Sequence, residues 1–105
     1  MDNFNEPFAI INSVNYAGKS IVSKTIIKKP TGTVTLFAFD EGEELSEHAT
    51  PYDALVQVFD GEAEITIGGE VHTISKSQSI IMPANIPHAV KAKHRFKMML
   101  TMIKS

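Results

Sequence analysis

Short runs of alternating apolar and polar residues follow one another along most of the chain, and none keeps a helical period over 12 or more residues. β-Branched and aromatic residues dominate these runs, while Gly, Pro, Asp and Asn separate them. Such runs predict strands. The predicted strands are 20–28, 33–39, 54–59, 62–67, 70–74, 79–82, 88–92 and 95–103. Short strands at this spacing are typical of a β-sandwich or β-barrel.

Two residue pairs between the central runs fit two-residue hairpin loops, which require positive φ angles. They are Asp60-Gly61 and Gly68-Gly69. With a hairpin at each, one face of the paired strands is wholly apolar. That face holds positions 54, 56, 58, 63, 65 and 67. The same register points His72 inward.

The last predicted strand alternates in the same way. Its apolar positions are Phe96, Met98, Leu100 and Met102. Because alternate residues of a strand share one face, we expect aliphatic residues and methionines to line the interior.

The composition predicts one small globular domain over residues 1–105, with a loose polar end at 1–7. The chain is 43% hydrophobic and 21% charged, which is ordinary for a folded domain. It contains no cysteine, which excludes disulfides, thiolate zinc sites and a cysteine nucleophile. The polar and acidic residues that follow Met1 are not typical of a signal peptide, and no apolar run approaches the ~20 residues of a membrane span. We therefore expect a cytoplasmic protein with no membrane partner.

The charges are unevenly distributed along the chain. All 12 acidic residues lie at or before Glu70, and the last 35 residues carry only basic charges. The formal net charge is -2, and the basic residues alternate with apolar ones. This pattern predicts two solvated faces and no nucleic-acid partner. The acidic segment 40–47 is expected to form a solvated loop.

The segment that follows the acidic residues resembles the first motif of the cupins, a family of small jelly-roll barrels. That motif is Gly, five residues, His-x-His, three or four residues, Glu, six residues, Gly. Gly42, His48 and Gly61 match it. Thr50 and Ala54 stand where the second His and the Glu belong.

The second cupin motif is Gly, five residues, Pro-x-Gly, two residues, His, three residues, Asn. Pro83 and His88 match it, whereas Ser77, Asn85 and Ala92 replace its other members. The resemblance covers about residues 33–103. It implies an all-β fold, a cupin-type jelly-roll β-barrel.

The resemblance also implies a metal site formed by three side chains of the first motif and one histidine of the second. Of these four, the chain keeps His48 and His88. Imidazole suits divalent zinc, iron, nickel or manganese, but tight sites use three or four protein ligands. One divalent ion is therefore expected only if a further group joins. His72 is the inward-facing candidate, whereas Asp53, unless the strand bulges, and Gln57 point outward. In the alternative, the two histidines hydrogen-bond to each other, to Thr50 or to water.

The small side chains at positions 50 and 54 favour an apolar cavity near the two histidines. An eight-stranded barrel is wide enough to hold one small ligand. The predicted ligand-binding residues are His48, Thr50, Tyr52, Ala54, His88 and Met98. Tyr52 either offers its phenol to a ligand or caps the barrel, and both interpretations stay open.

Three functions follow as hypotheses. The first is a small-molecule-binding barrel without catalysis. The second is a metal-dependent enzyme of the isomerase, oxygenase or cyclase type that many cupins represent, and the third is an accessory protein with a vestigial pocket. Whether the chain is an enzyme stays open. The resemblance implies a homodimer, which would also cover the apolar edge strand predicted at Ser20–Lys28.

Overall fold

The structure, a computed structural model, describes residues 4–105. In that part of the chain a 3-10 turn, Ile10–Asn12, precedes eight strands. The strands are β1 Ile21–Lys29, β2 Gly32–Phe39, β3 Glu44–His48, β4 Asp53–Ile67, β5 Glu70–Ser75, β6 Ser79–Met82, β7 His88–Lys91 and β8 Phe96–Ile103. Residues 1–3 of the predicted loose end lie outside the described residues. No helix among those described is long and apolar enough to cross a membrane.

Two antiparallel sheets share the long strand β4 and curl into a barrel. The first sheet has the order β1-β2-β8-β4-β6, and the second has the order β3-β7-β4-β5. The first part of β4 pairs with β6 and β8, and the last part pairs with β5 and β7. The prediction of an all-β barrel is therefore confirmed.

The predicted hairpin at Asp60-Gly61 is wrong. β4 continues through this pair without a turn, and its register against β8 shifts between Val58 and Asp60. Gly61 has a φ of +69°, and a Cβ there would collide with the Arg95 carbonyl oxygen. Glycine is thus required by a β-bulge at a close strand approach, rather than by a turn.

The predicted inward face of β4 is confirmed in spite of this error. Even-numbered residues point inward before the bulge and odd-numbered ones after it. The extra residue of a bulge shifts the alternation by one, as the hairpin would have done. The Gly68-Gly69 hairpin is also confirmed, since Ile67 pairs with Glu70 across it.

The strand β3 lies within the acidic segment that was predicted to be a loop. Its Leu45 packs against the core, while Glu44 and Glu47 stay exposed. β3 pairs with β7, which places His48 opposite His88. The prediction of a solvated loop is therefore wrong for this strand and correct for the exposure of its charges.

Aromatic stacking fills the part of the interior that we call the packed end. The rings of Phe39 and Phe96 stack with centroids 4.5 Å apart, and both side chains are fully buried. These two residues pair across β2 and β8, and Phe96 also pairs with Gly61 of β4. Three strands therefore meet at one aromatic contact.

The N-terminal segment covers part of the outer face of the first sheet. Its residues pack on Leu36 and Ala38, which are fully buried there. Lys97 is buried beneath it and donates a hydrogen bond to the Ile11 carbonyl at 2.6 Å. The Tyr16 hydroxyl donates to Asp60 at 2.7 Å, and burial together with this carboxylate raises the pKa of Tyr16 above its ordinary value.

The rest of that outer face carries a row of side chains that crosses five strands. We call it the outer stripe, and it consists of Ile27, Val34, Thr101, Leu55 and Ile81 in register. Ile27 is 51% exposed and Ile81 is 60% exposed. The stripe is thus apolar at both edges of the sheet and accessible to solvent.

Candidate functional site

Two histidines meet at one opening of the barrel, which we call the mouth. His48 ends β3 and His88 begins β7, and these residues pair across the two strands. Their Nε2 atoms lie 3.2 Å apart, and their rings meet edge to face with centroids 4.4 Å apart. His88 is buried, whereas His48 is exposed to solvent.

Backbone carbonyls fix the orientation of both rings. His48 Nδ1 lies 3.0 Å from the Ser46 oxygen, and His88 Nδ1 lies 3.3 Å from the Ile86 oxygen. A carbonyl oxygen only accepts hydrogen bonds, so each Nδ1 carries the hydrogen and donates it. The Nε2 atom of a neutral imidazole protonated at Nδ1 is an acceptor. When both rings are neutral with this tautomer, both Nε2 lone pairs face the 3.2 Å gap, whereas protonation of one Nε2 makes the contact a hydrogen bond between the two histidines.

When both histidines are neutral and protonated at Nδ1, neither Nε2 atom has a hydrogen to donate to the other. Burial lowers the pKa of His88 below its ordinary value of 6.5, and the nearby His48 lowers it further, while the Ile86 carbonyl opposes the shift. The environment thus favours neutral His88 at neutral pH. The gap is chemically suited to receive a hydrogen-bond donor or a cation.

An apolar cavity of about 50 Å³ lies beneath the histidine pair. Its lining residues are Phe37, Leu45, His48, Thr50, Ala54, Met82, His88, Val90, Met98, Leu100 and Met102. Pockets for drug-sized ligands occupy roughly 300–1,000 Å³. The cavity as it stands therefore admits an ion, a water molecule or a very small group.

Five of the six predicted ligand-binding residues line this cavity: His48, Thr50, Ala54, His88 and Met98. Tyr52 does not line it, and its ring instead lies 5.9 Å from Lys104 Nζ. The Thr50 hydroxyl donates its hydrogen bond to the Tyr52 carbonyl oxygen at 3.3 Å rather than to a histidine.

His72 lies away from the mouth. It points to the same face as Ile65, as predicted, but it belongs to β5, which pairs with the last part of β4. It is absent from the cavity lining, and its Nε2 lies 3.9 Å from a Glu70 oxygen. The structure thus does not bring His72 to the other two histidines.

The sequence reasoning missed Met82 as a site residue and assigned Met102 only to the interior. Both pair with Ala54, Met82 from β6 and Met102 from β8. The two thioethers therefore flank the small Ala54 side chain on the inward face. The alternation of Ile80 and Met82 in the short strand 79–82 was the available signal for Met82.

The residues of the mouth do not fit a resident divalent metal of the kind that the motif resemblance implies. Among residues 4–105, no group of three or more His, Cys, Asp or Glu side chains is placed to hold an ion. The nearby Asp53 carboxylate accepts a hydrogen bond from the Ala84 amide at 2.8 Å. The site thus supplies two imidazoles where tight divalent sites use three or four protein ligands.

The family model of the cupin domain matches residues 35–104. A search of curated proteins finds no match. Among solved structures, a conserved protein of unknown function from Streptococcus pyogenes is 32% identical, with a TM-score of 0.93. The alignment covers 100% of this chain and 91% of that one.

Two further solved structures are similar to the chain. A cupin 2 conserved barrel domain protein from Leptotrichia buccalis is 41% identical over 92% of this chain and 47% of its own, with a TM-score of 0.89. A cupin superfamily protein from Desulfitobacterium hafniense is 25% identical over 95% of this chain and 92% of its own, with a TM-score of 0.90. The motifs, the barrel and the family match agree, and the chain belongs to the cupin family.

Proposed function

We propose that the chain binds a small ligand at the mouth of its barrel, where His48 and His88 hold a polar group and the cavity takes a short apolar part. One observation carries the proposal. The two Nε2 atoms converge at 3.2 Å over a lining that is otherwise almost wholly apolar. A few convergent polar groups above an apolar cavity are typical of ligand sites.

The orientation of the rings indicates the chemistry of the ligand. Two acceptor nitrogens favour a group that donates a hydrogen bond, such as a hydroxyl or an amine. The cavity is small, but methionine side chains line it and adapt their shape readily. We therefore expect a ligand with one donor group and a short aliphatic chain.

A titration with short-chain primary alcohols and amines of increasing chain length tests this function. The imidazole NMR signals of His48 and His88 should shift on binding, whereas those of exposed His94 should not. The variant His88→Gln should weaken binding by at least an order of magnitude, and the matched control His94→Gln should bind normally. Absence of shifts for every probe, or equal binding by both variants, would refute the proposal.

The metal-dependent enzyme implied by the family resemblance would need a third hard donor. Residues 4–105 place no carboxylate in the cavity lining. The alternative of an isomerase, oxygenase or cyclase with a divalent metal therefore finds less support than ligand binding.

A second candidate function is that of an accessory protein that works as a homodimer, and the outer stripe favours it. Ile27, Ile81 and the adjacent Ile103 are each more than half exposed on one sheet face. A second copy is the simplest cover for such a face, because a two-fold axis pairs identical apolar surfaces.

Light scattering coupled to size-exclusion chromatography tests the homodimer. At micromolar concentration we expect a dimer for the unmodified chain and a monomer for Ile81→Asp. Val71→Asp is the matched control, because Val71 is 58% exposed on β5, outside the stripe. A monomeric unmodified chain, or equal effects of the two variants, would contradict the proposal.

A further inference from the structure

A lysine and a tyrosine extend the cavity wall at the mouth. Met102 of β8 pairs with Ala54 of β4, and both residues line the cavity. Lys104 follows Met102 by two residues, and Tyr52 precedes Ala54 by two residues. Both side chains are half-buried, whereas the residue between the members of each pair is exposed. Because alternate residues of a strand share one face, Lys104 and Tyr52 continue the cavity wall toward solvent.

The Lys104 ammonium is held in place and keeps its charge. Its Nζ lies 5.9 Å from the centre of the Tyr52 ring, a cation–π contact that orients an ammonium without neutralising it. The Lys104 amide donates a hydrogen bond to the Thr31 carbonyl oxygen at 2.8 Å, which anchors the backbone. Among residues 4–105, no carboxylate lies within ion-pair distance of Nζ. This positive charge is therefore available to an anion.

The histidine pair and Lys104 belong to opposite walls of the mouth. His48 and His88 lie on strands of the second sheet, whereas Lys104 follows a strand of the first. The cavity between them is lined from both sheets, so a ligand seated there contacts both walls.

The chemistry of the two walls specifies the two ends of such a ligand. The imidazole acceptors favour a group that donates a hydrogen bond, and the ammonium favours an oxyanion. One cation balances one negative charge, which favours a carboxylate over a phosphate dianion.

We propose that the mouth binds a short ω-hydroxycarboxylate, whose hydroxyl donates to the histidine pair and whose carboxylate pairs with Lys104. This ligand class rests on the proposed small-ligand function and adds the anionic end of the ligand to it. The aliphatic chain between the two groups lies against the apolar lining of the cavity. Lys104 then determines specificity, and Tyr52 positions it through the ring contact.

A titration with ω-hydroxycarboxylates from glycolate to δ-hydroxyvalerate, each beside its neutral amide, tests the proposal. Shifts of the imidazole NMR signals of His48 and His88 report binding. We expect one chain length to bind best, and its acid to bind about tenfold tighter than its amide, because hydrogen bonds to charged groups are the stronger ones. This preference should shrink as the salt concentration rises, because salt screens partly exposed charges.

Variants at the two rim positions assign the preference to its residues. Lys104→Gln should bring the affinities of acid and amide close together without weakening the amide. Lys29→Gln is the matched control, because Lys29 is exposed at the same end of the first sheet and lines a groove on its outer face. Tyr52→Leu should reduce the preference for the acid, and Tyr52→Phe should restore it, because the ring rather than the hydroxyl holds the ammonium.

The carboxylate site and the small-ligand function fail in different ways. If alcohols bind but acids bind no tighter than their amides, the carboxylate site is overturned and the small-ligand function stands. If no alcohol, amine, amide or acid shifts the imidazole signals, both are overturned. A preference for the acid that survives in Lys104→Gln, or that Lys29→Gln abolishes equally, also overturns the carboxylate site.

Discussion

The packed end and the mouth are two regions of one barrel interior, and they are filled in different ways. At the packed end, the stacked rings of Phe39 and Phe96 are fully buried. At the mouth, two histidines and three methionines surround a cavity of about 50 Å³. The same strand, β8, begins with Phe96 at the packed end and ends near Met102 at the mouth.

This difference indicates how a small barrel separates stability from binding. Rigid aromatic rings pack closely and fix the strands, whereas methionines adapt and imidazoles offer lone pairs. Substitutions at the packed end should therefore change the free energy of unfolding most. Substitutions at the mouth should change binding with a smaller cost in stability.

The largest effect is expected for Phe96→Ala. Truncating a fully buried phenylalanine costs about 3–5 kcal/mol of stability, and here the ring also stacks on Phe39. Met102→Ala at the mouth removes a half-buried side chain beside a cavity and should cost clearly less. Urea unfolding of both variants measures the difference. Equal losses would show that the packed end does not dominate stability.

A smaller loss is expected for Gly61→Ala, at the bulge beside Phe96. The φ of +69° costs an L-residue about 1–2 kcal/mol, and the new Cβ also meets the Arg95 carbonyl. Gly69→Ala is the matched control, because its φ is +83° and nothing lies within 4 Å of a Cβ there. Thermal unfolding should place Gly61→Ala well below Gly69→Ala. Equal unfolding temperatures for the two variants would show that the close approach at the bulge does not contribute to the loss of stability.

The residues of the inward face of β4 were mostly predictable from the sequence, but the bulge that produces this face was predicted as a hairpin. A glycine with positive φ serves a hairpin and a bulge equally, and both shift the alternation of β4 in the same way. Local pattern therefore could not separate them at Asp60-Gly61. β3 was missed because only Leu45 of its five residues points into the core, and one apolar position makes no alternation.

The candidate site was predictable in part. Motif spacing indicated that His48 and His88 face one cavity, and the structure places them together. The Nδ1 contacts with backbone carbonyls depend on loop geometry, which the spacing does not specify. The contribution of Met82 depends on the pairing of β6 with β4, which places it opposite Ala54. A local sequence pattern does not predict which strands pair.

The pH dependence of stability should report on the mouth. The folded state holds the pKa of His88 below 6.5, so the unfolded chain takes up a proton first as the pH falls. Stability from this group is fully present above pH 6.5 and is lost as the pH falls below that value. Urea unfolding of metal-free protein should show a shallower loss below this pH for His88→Gln than for the unmodified chain. His94→Gln is the control, and equal pH profiles for His88→Gln and the unmodified chain would contradict the expectation.

The smallest effect is a gain in stability, expected at the loop between β5 and β6. Ser77 has a φ of +74° and Asn85, in the loop beside the mouth, has a φ of +64°. Glycine belongs at both positions of the cupin motif, and this backbone conformation explains why. Serine adopts it less readily than asparagine, whose short polar side chain tolerates the left-handed region. Ser77→Gly should therefore stabilise the protein by about 1 kcal/mol, and Asn85→Gly by less, as measured by thermal unfolding. A larger gain from Asn85→Gly would locate the greater backbone strain at the mouth, and would reverse the expected ranking of the two loops.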